Sequence, residues 1–482
     1  MIIKKAKNLK LVSFSYLNQA ISMALHLLQV KILTSFLTQN NYGGWNQVQV
    51  TINFIIVIFT LNLGHGFIRY ASSYTKEFKE KTFFSVLTFQ TALTFLIILI
   101  MFPFQSAIMV FIIQKHSVIL YFLMSLTSIL IISISNIQNF LLVSGKEIQM
   151  IRQNLIQVVS DVGFTVLGVL LKHDIVGALA GYATSKLFCF ALFSWINKIN
   201  YRKLSFSSEI IKTLLKFSLP LLSISIAYWV INSSNRYLIN YFLGLDAVGM
   251  FSVANRFPMM LVIIFTLLST IFLSNISRLF DNGNMERVSY WFSIILRIFF
   301  VVGTAGGAFL IAANRPLTLI VSNKNYLFNG LPLVYLFVSL GSLAFGGFQI
   351  ISRLYDLEKK VYQNSFNWIF AMILNIILNV SLIPLLGIVG AAIATGATFV
   401  IGFILAIIKR PKQIDINVPW VKIIIVLSVS FISAYFYAFY NEAEMSILSG
   451  FFTAIIFAAL SLSLSFILRI ITIKELVLLI KN

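Results

Sequence analysis

Few residues of this chain could do chemistry, and most of them lie inside long apolar runs. Asp161 is the one acid deep in such a run, and Lys186 lies deep in the next. A turn centred near residue 173 separates them, with Asp161 twelve residues before it and Lys186 thirteen after. In a helical hairpin those counts put both at nearly the same depth. An unpaired charge there is costly, so a structural ion pair is one reading, and ion coupling or a substrate contact is the other. Arg256 starts about nine residues into its own run, roughly 14 Å deep at 1.5 Å per residue, too deep to snorkel easily. Lys31 and Arg297 lie nearer the ends of theirs. Lys31, Lys186, Arg256 and Arg297 against Asp161 make the apolar interior cationic, which suits an anionic cargo such as a phosphate group better than a cationic drug.

Two polar stripes accompany these charges. Asn18, Ser22, His26 and Gln29 follow one another at helical steps and fall within about 80° of one face. Ser218, Ser225, Trp229, Asn232 and Arg236 share a face in a later run. Such stripes either hold helices together by hydrogen bonds or line a wet cavity, in which His26 would be a candidate proton carrier. Catalytic signatures are missing. Gly145-Lys146 is followed by Glu147 and lacks the rest of a phosphate-binding loop, and there is no His-Glu-x-x-His and no Asp-x-Asp. The single cysteine, Cys189, excludes an internal disulfide and a cysteine-based metal cluster, and reads as a small buried hydrophobe. The expectation is a protein that is not an enzyme and has no cofactor.

The elements that must position these residues are membrane helices. Of 482 residues 59% are hydrophobic and 11% charged, with a mean hydropathy of +0.93. A soluble chain averages roughly a quarter charged residues, so a soluble enzyme is excluded. The net charge of +21 comes from 36 Lys and Arg against 15 Asp and Glu. No soluble segment is long enough to carry a nucleic-acid-binding face, so no nucleic-acid partner is expected. Span-length apolar segments fall at about 11–33, 46–66, 83–104, 117–143, 154–171, 175–197, 213–235, 247–275, 291–313, 330–350, 365–383, 389–408, 422–440 and 447–468, about fourteen in all. The fold class expected is an all-α integral membrane protein. With the N-terminus in the cytoplasm, 27 Lys and Arg fall in cytoplasmic segments and 5 in the opposite loops. That asymmetry predicts both termini in the cytoplasm, with the basic loops against anionic membrane lipid. No external loop exceeds about 16 residues, too short for the catalytic loop of a membrane glycan polymerase or ligase.

An internal repeat orders the helices. Phe36-Leu37, Gly43 and Trp45 match Phe242-Leu243, Gly249 and Phe251 at an offset of 206, which aligns His26 with Asn232. Ile175-Val176-Gly177-Ala178 recurs as Ile388-Val389-Gly390-Ala391 at an offset of 213. An offset of six helices gives two parallel six-helix bundles, 1–205 and 206–410, followed by a C-terminal helix pair, 411–482. Parallel repeats of this kind carry substrate near the midplane and expose it to each side in turn.

Phe217-Ser-Leu-Pro220-Leu, Ser234-Asn235-Arg236-Tyr237-Leu-Ile, Phe242-Leu-Gly244 and Val248-Gly249-Met-Phe251-Ser252-Val-Ala254-Asn-Arg256 together resemble the helix 7–8 signature of bacterial polysaccharide (O-antigen) flippases. These Wzx-type exporters belong to the MOP superfamily, with the MATE multidrug exporters and lipid II flippases. Gly387-Ile-Val-Gly390-Ala-Ala-Ile-Ala394-Thr395 resembles their helix 12 motif. One departure is Asn235, where members often have an acid before the arginine. The resemblance implies a MATE-like fold in the bacterial inner membrane. It also implies transfer of an undecaprenyl-diphosphate-linked oligosaccharide between leaflets, coupled to H+ or Na+ since no nucleotide site exists. The diphosphate would meet Arg256, Arg236 or Lys186, with Asp161, His26, Asn18, Gln29 and Asn232 lining the cavity or coupling the ion. Polysaccharide-assembly membrane proteins are the partners it suggests. The alternatives are a MATE-type drug or cation exporter and a membrane glycan polymerase or ligase.

Overall fold

The computed structural model describes residues 2–71, 75–203, 205–264, 276–358, 361–411, 413–441, 447–472 and 475, and on the first helix the side chains from Phe14 onward. The end of the expected span 247–275 lies outside the described residues, as do Lys359, Lys360, Lys412, Lys474 and Lys481 of the basic loops. The helices are α1 (Ile2–Phe36), α2 (Gln39–Phe59), α3 (Leu63–Ala71), α4 (Lys76–Met101), α5 (Gln105–Ile113), α6 (Val118–Val143), α7 (Glu147–Leu171), α8 (Ile175–Ile196), α9 (Ser208–Leu243) and α10 (Leu245–Ala254). They continue as α11 (Met285–Ala312), α12 (Asn314–Val321), α13 (Leu331–Leu357), α14 (Val361–Ile408), α15 (Trp420–Tyr440) and α16 (Ile447–Ile467), with no strand among the described residues.

Polar side chains at the chain reversals start several helices. Thr38, Thr75, Ser117, Asp174 and Asn284 each accept a hydrogen bond from a first-turn backbone N–H. Eleven of the described helices are long and apolar enough to cross a membrane, or twelve with α2 and α3 taken as one bent span. That number differs from fourteen partly because α14 runs through a break. Gly387 has φ 60° and ψ −138°, which separates residues 361–386 from 388–408, each of spanning length.

The chain divides into two compact units, Met1–Trp229 with Gly244–Gly249, and Val230–Leu243 with Met250–Asn482. In the first, the α7–α8 hairpin packs with α6 and α1. Its core includes Phe67, Phe83, Ile134, Ile137, Cys189 and Phe193, all buried. In the second, α13 packs along α14, and α11 touches α13, α15 and α16. Trp368 fills that core edge-on to Phe345 and Phe348.

The repeated Ile-Val-Gly-Ala motif has one structural job in both places. A Cβ on Gly177 would sit 2.4 Å from the Gly168 carbonyl oxygen, and one on Gly390 would sit 2.2 Å from that of Leu382. Each glycine therefore lets a helix lie directly on the backbone of the helix before it. The first repeat pair also meets. A Cβ on Gly43 would lie 1.8 Å from the Leu245 carbonyl oxygen, and Asn40 donates to Asp246, its partner at the offset of 206.

The expected span 46–66 is interrupted. Leu61 and Asn62 have φ of 46° and 54°, and α3 leaves α2 at a bend of 48°. Side chains satisfy the broken backbone. Gln90 Nε2 donates to the Thr60 carbonyl at 2.6 Å, and Asn136 Nδ2 donates to Gln90 Oε1 at 2.7 Å.

Candidate functional site

The α7–α8 hairpin brings Asp161 and Lys186 together. Lys186 Nζ donates to Asp161 Oδ2 at 2.6 Å, and Ser185 Oγ donates to Asp161 Oδ1 at 2.7 Å. The ammonium also lies 4.7 Å from the centre of the Tyr182 ring, whose edge meets Trp45. Lys186 is 1% exposed and Asp161 8%. Both carboxylate oxygens are occupied and the ammonium is shared between a carboxylate and a ring, so the pair is electrically closed. An anion could recruit Lys186 only by displacing Asp161.

Arg256 stands differently. After α10 the helical path tightens at Asn255-Arg256-Phe257, where the Arg256 N–H donates to the Val253 carbonyl three residues back, and it runs on as a 3-10 turn from Pro258. Proline removes a backbone donor and crowds the preceding turn, which favours the change from α to 3-10 geometry at this point. Arg256 is half-buried, its Nε is buried without a hydrogen-bond partner, and no carboxylate pairs with it among the described residues. At 1.5 Å per residue, the ten residues of α10 put it about 15 Å along the span. A guanidinium at that depth carries donors aimed in one plane and a full charge, the chemistry that grips a phosphate.

Arg236 is held in place by its own helix. Its Nη1 donates to the Asn232 carbonyl at 3.0 Å, and its guanidinium lies 5.8 Å from the Phe251 ring centre. Its neighbour Asn235 is 2% exposed and donates to Thr395 Oγ1 at 3.4 Å. Arg297 is paired with Glu475 Oε1 at 3.0 Å, which removes it from the tally of open cations.

On α1, His26 is exposed and its Nδ1 lies 2.7 Å from the Ser22 carbonyl, while Asn18 and Gln29 are half-buried. The α9 stripe is used in packing for much of its length. Ser218 is fully buried, with its hydroxyl 2.8 Å from where a Cβ on Gly66 would stand. Ser225 accepts from Asn62 at 2.8 Å, and Trp229 packs on Phe54 at 4.3 Å between ring centres. Asn232 is half-buried above these.

One buried polar group was not anticipated. On α14, Asn375 Nδ2 donates to Thr398 Oγ1 at 3.2 Å, and Asn379 Nδ2 donates to Asn375 Oδ1 at 3.0 Å. Asn375 and Asn379 are fully buried, and Asn379 Oδ1 is left without a partner. The signal was two asparagines one helical turn apart in an apolar run, an uncharged pair that a search for titratable groups passes over.

Comparisons with known proteins follow the same lines. The family described as "Polysaccharide biosynthesis protein" matches residues 9–280, more than half of the chain. The probable flippase AglR of Haloferax volcanii is 29% identical over 189 residues, and the match spans 38% of each chain, well under two thirds of that relative's length. A solved structure of the lipid II flippase MurJ in an inward closed conformation has a TM-score of 0.75 at 17% identity, covering 95% of this chain and 99% of that one. An inward-facing multidrug resistance MATE family transporter of the MOP superfamily has a TM-score of 0.61 at 15% identity, covering 82% and 96%. The fold is the all-α transporter fold of these proteins.

Proposed function

Because the chain belongs to the polysaccharide biosynthesis protein family, we propose that it is a flippase that moves an undecaprenyl-diphosphate-linked oligosaccharide across a membrane by alternating access. The cargo is the repeat unit of O-antigen or a related surface polysaccharide, and the membrane is the bacterial inner membrane. Both termini lie in the cytoplasm, as the basic loops favour.

The observation that carries the reading is Arg256, a half-buried guanidinium inside a span, where the helix tightens to 3-10 geometry, with no carboxylate against it among the described residues. A diphosphate brings the charge and acceptor oxygens this group lacks. Arg236 takes a supporting part, and Lys186 contributes once Asp161 releases it. Protonation of Asp161 would provide that release and would couple transport to an H+ gradient; Na+ is the other candidate. His26, Asn18, Gln29 and Asn232 line the polar path. The glycan is released to polysaccharide-assembly membrane proteins. A MATE-type cation exporter is disfavoured because the deep carboxylate Asp161 already holds an ammonium. A polymerase or ligase is disfavoured by the short loops.

Deleting the gene tests the proposal. Surface glycan is expected to disappear while lipid-linked repeat units accumulate, and normal surface glycan in a strain with no second flippase overturns it.

A further inference from the structure

A second cationic group lies at the far end of the bent span, on the lysine- and arginine-rich side of the membrane. The bend at Leu61 and Asn62 swings α3 against the start of α9. Two contacts fix it there. Asn62 Nδ2 donates to Ser225 Oγ at 2.8 Å, and Gly66 approaches so closely that a Cβ would lie 2.8 Å from Ser218 Oγ. This rigid seat holds Phe217 between two residues of α3. The Arg69 guanidinium lies 4.8 Å from its ring centre, and Tyr70 meets it edge-on at 5.8 Å.

Arg69 is exposed, and among the described residues no carboxylate pairs with it. Stacking occupies only the face of a guanidinium, and its N–H donors point outward in the ring plane. His65 stands one turn back on the same face of α3, and Lys212 and Lys216 are exposed on the α9 turns that precede Phe217. Leu63–Ala71 and residues 208–217 together hold three permanent cations, Arg69, Lys212 and Lys216, against one acid, Glu209. The arrangement is a flat donor edge, held by aromatic packing, in a field of net positive charge at the membrane border. Phosphoryl groups of lipids lie at that level.

We propose that Arg69, seated on Phe217, forms a binding site for the phosphoryl headgroup of a lipid, separate from Arg256. The headgroup belongs either to the diphosphate carrier, which rests on the function proposed above, or to an anionic phospholipid.

Native mass spectrometry of the full-length protein, titrated with undecaprenyl diphosphate, phosphatidylglycerol or undecaprenol, tests it. Arg69→Ala is expected to weaken at least one phosphoryl probe roughly tenfold, the loss of a charge-assisted hydrogen bond, while undecaprenol is unaffected. The probe that loses more identifies the source. Phe217→Leu keeps the charge but frees the guanidinium, and is expected to weaken the same probe about two- to fivefold. It carries the test if Arg69→Ala does not fold. Raising salt narrows the gap between wild type and Arg69→Ala. Binding of both phosphoryl probes within twofold of wild type in Arg69→Ala and Phe217→Leu overturns the site. If wild type holds undecaprenyl diphosphate no better than undecaprenol, the carrier function fails, while an Arg69-dependent loss of phosphatidylglycerol still sustains the site.

Discussion

Removing one charge of the Asp161–Lys186 pair leaves the other stranded. With Nζ and Oδ2 2.6 Å apart, their attraction is about 6 kcal/mol at an effective dielectric near 20. With Lys186 at 1% exposure and Asp161 at 8%, a stranded charge is poorly solvated, so loss of one partner costs about 3–5 kcal/mol. Asp161→Asn keeps the shape and leaves a carbonyl oxygen for Ser185 Oγ, so it deletes little besides the charge. Lys186→Met keeps the chain length and removes the ammonium. The double variant has no charge to strand, and replacing a buried ion pair with neutral groups of similar volume is often neutral or stabilising. Denaturation of the purified full-length protein in mixed micelles, carried round the four-variant cycle, measures this. Both single variants should fall well below wild type and the double variant should recover most of the loss, a coupling above roughly 2 kcal/mol. Additive losses, or single variants as stable as wild type, refute the buried pair as a stabilising unit.

Three further outcomes are expected. Arg256→Ala should lower export at least tenfold at normal protein level, and Arg256→Lys should retain part of it, because a point charge replaces a planar fork; full export in the alanine variant refutes the phosphate contact. Gly177→Val and Gly390→Val should each abolish accumulation of folded protein in membranes, because the new Cβ falls within 2.4 Å of a carbonyl oxygen, whereas Gly163→Ala, with open space at its Cβ, should accumulate normally on an immunoblot. Glu475→Gln should destabilise by about 1 kcal/mol in the same denaturation assay, since Arg297 and Glu475 are each nearly a fifth exposed and screened in part.

What could be read in the residues depended on how local its cause is. The Asp161–Lys186 pair follows from counting outward from one turn, because a short hairpin fixes depth on both arms. The doubled Ile-Val-Gly-Ala motif likewise marks a real equivalence, since both glycines meet the preceding helix in the same way. The break at Leu61 and Asn62 was not legible. No proline or glycine stands at either position, and the turn is held by Gln90, Asn136 and Ser225, which are distant in sequence. The Asn375–Asn379 group was missed for its neutrality, although its burial makes it as constrained as the ion pair. Of the two readings of the α9 stripe, Ser218, Ser225 and Trp229 follow the packing one, and periodicity alone does not distinguish a wet face from a satisfied one.

The net charge of +21 therefore separates by partner rather than by depth. Lys186 and Arg297 both sit in apolar runs, and each meets a carboxylate, Lys186 from the adjacent helix and Arg297 from 178 residues away. Neither can serve an anionic cargo without first giving up that carboxylate. Arg256 has no such cost, because no described carboxylate faces it. Keeping an open guanidinium there costs stability that filling the site with leucine would restore. A residue that lowers stability inside a span is explained by what it binds, so Arg256→Leu should yield a more stable protein with no export.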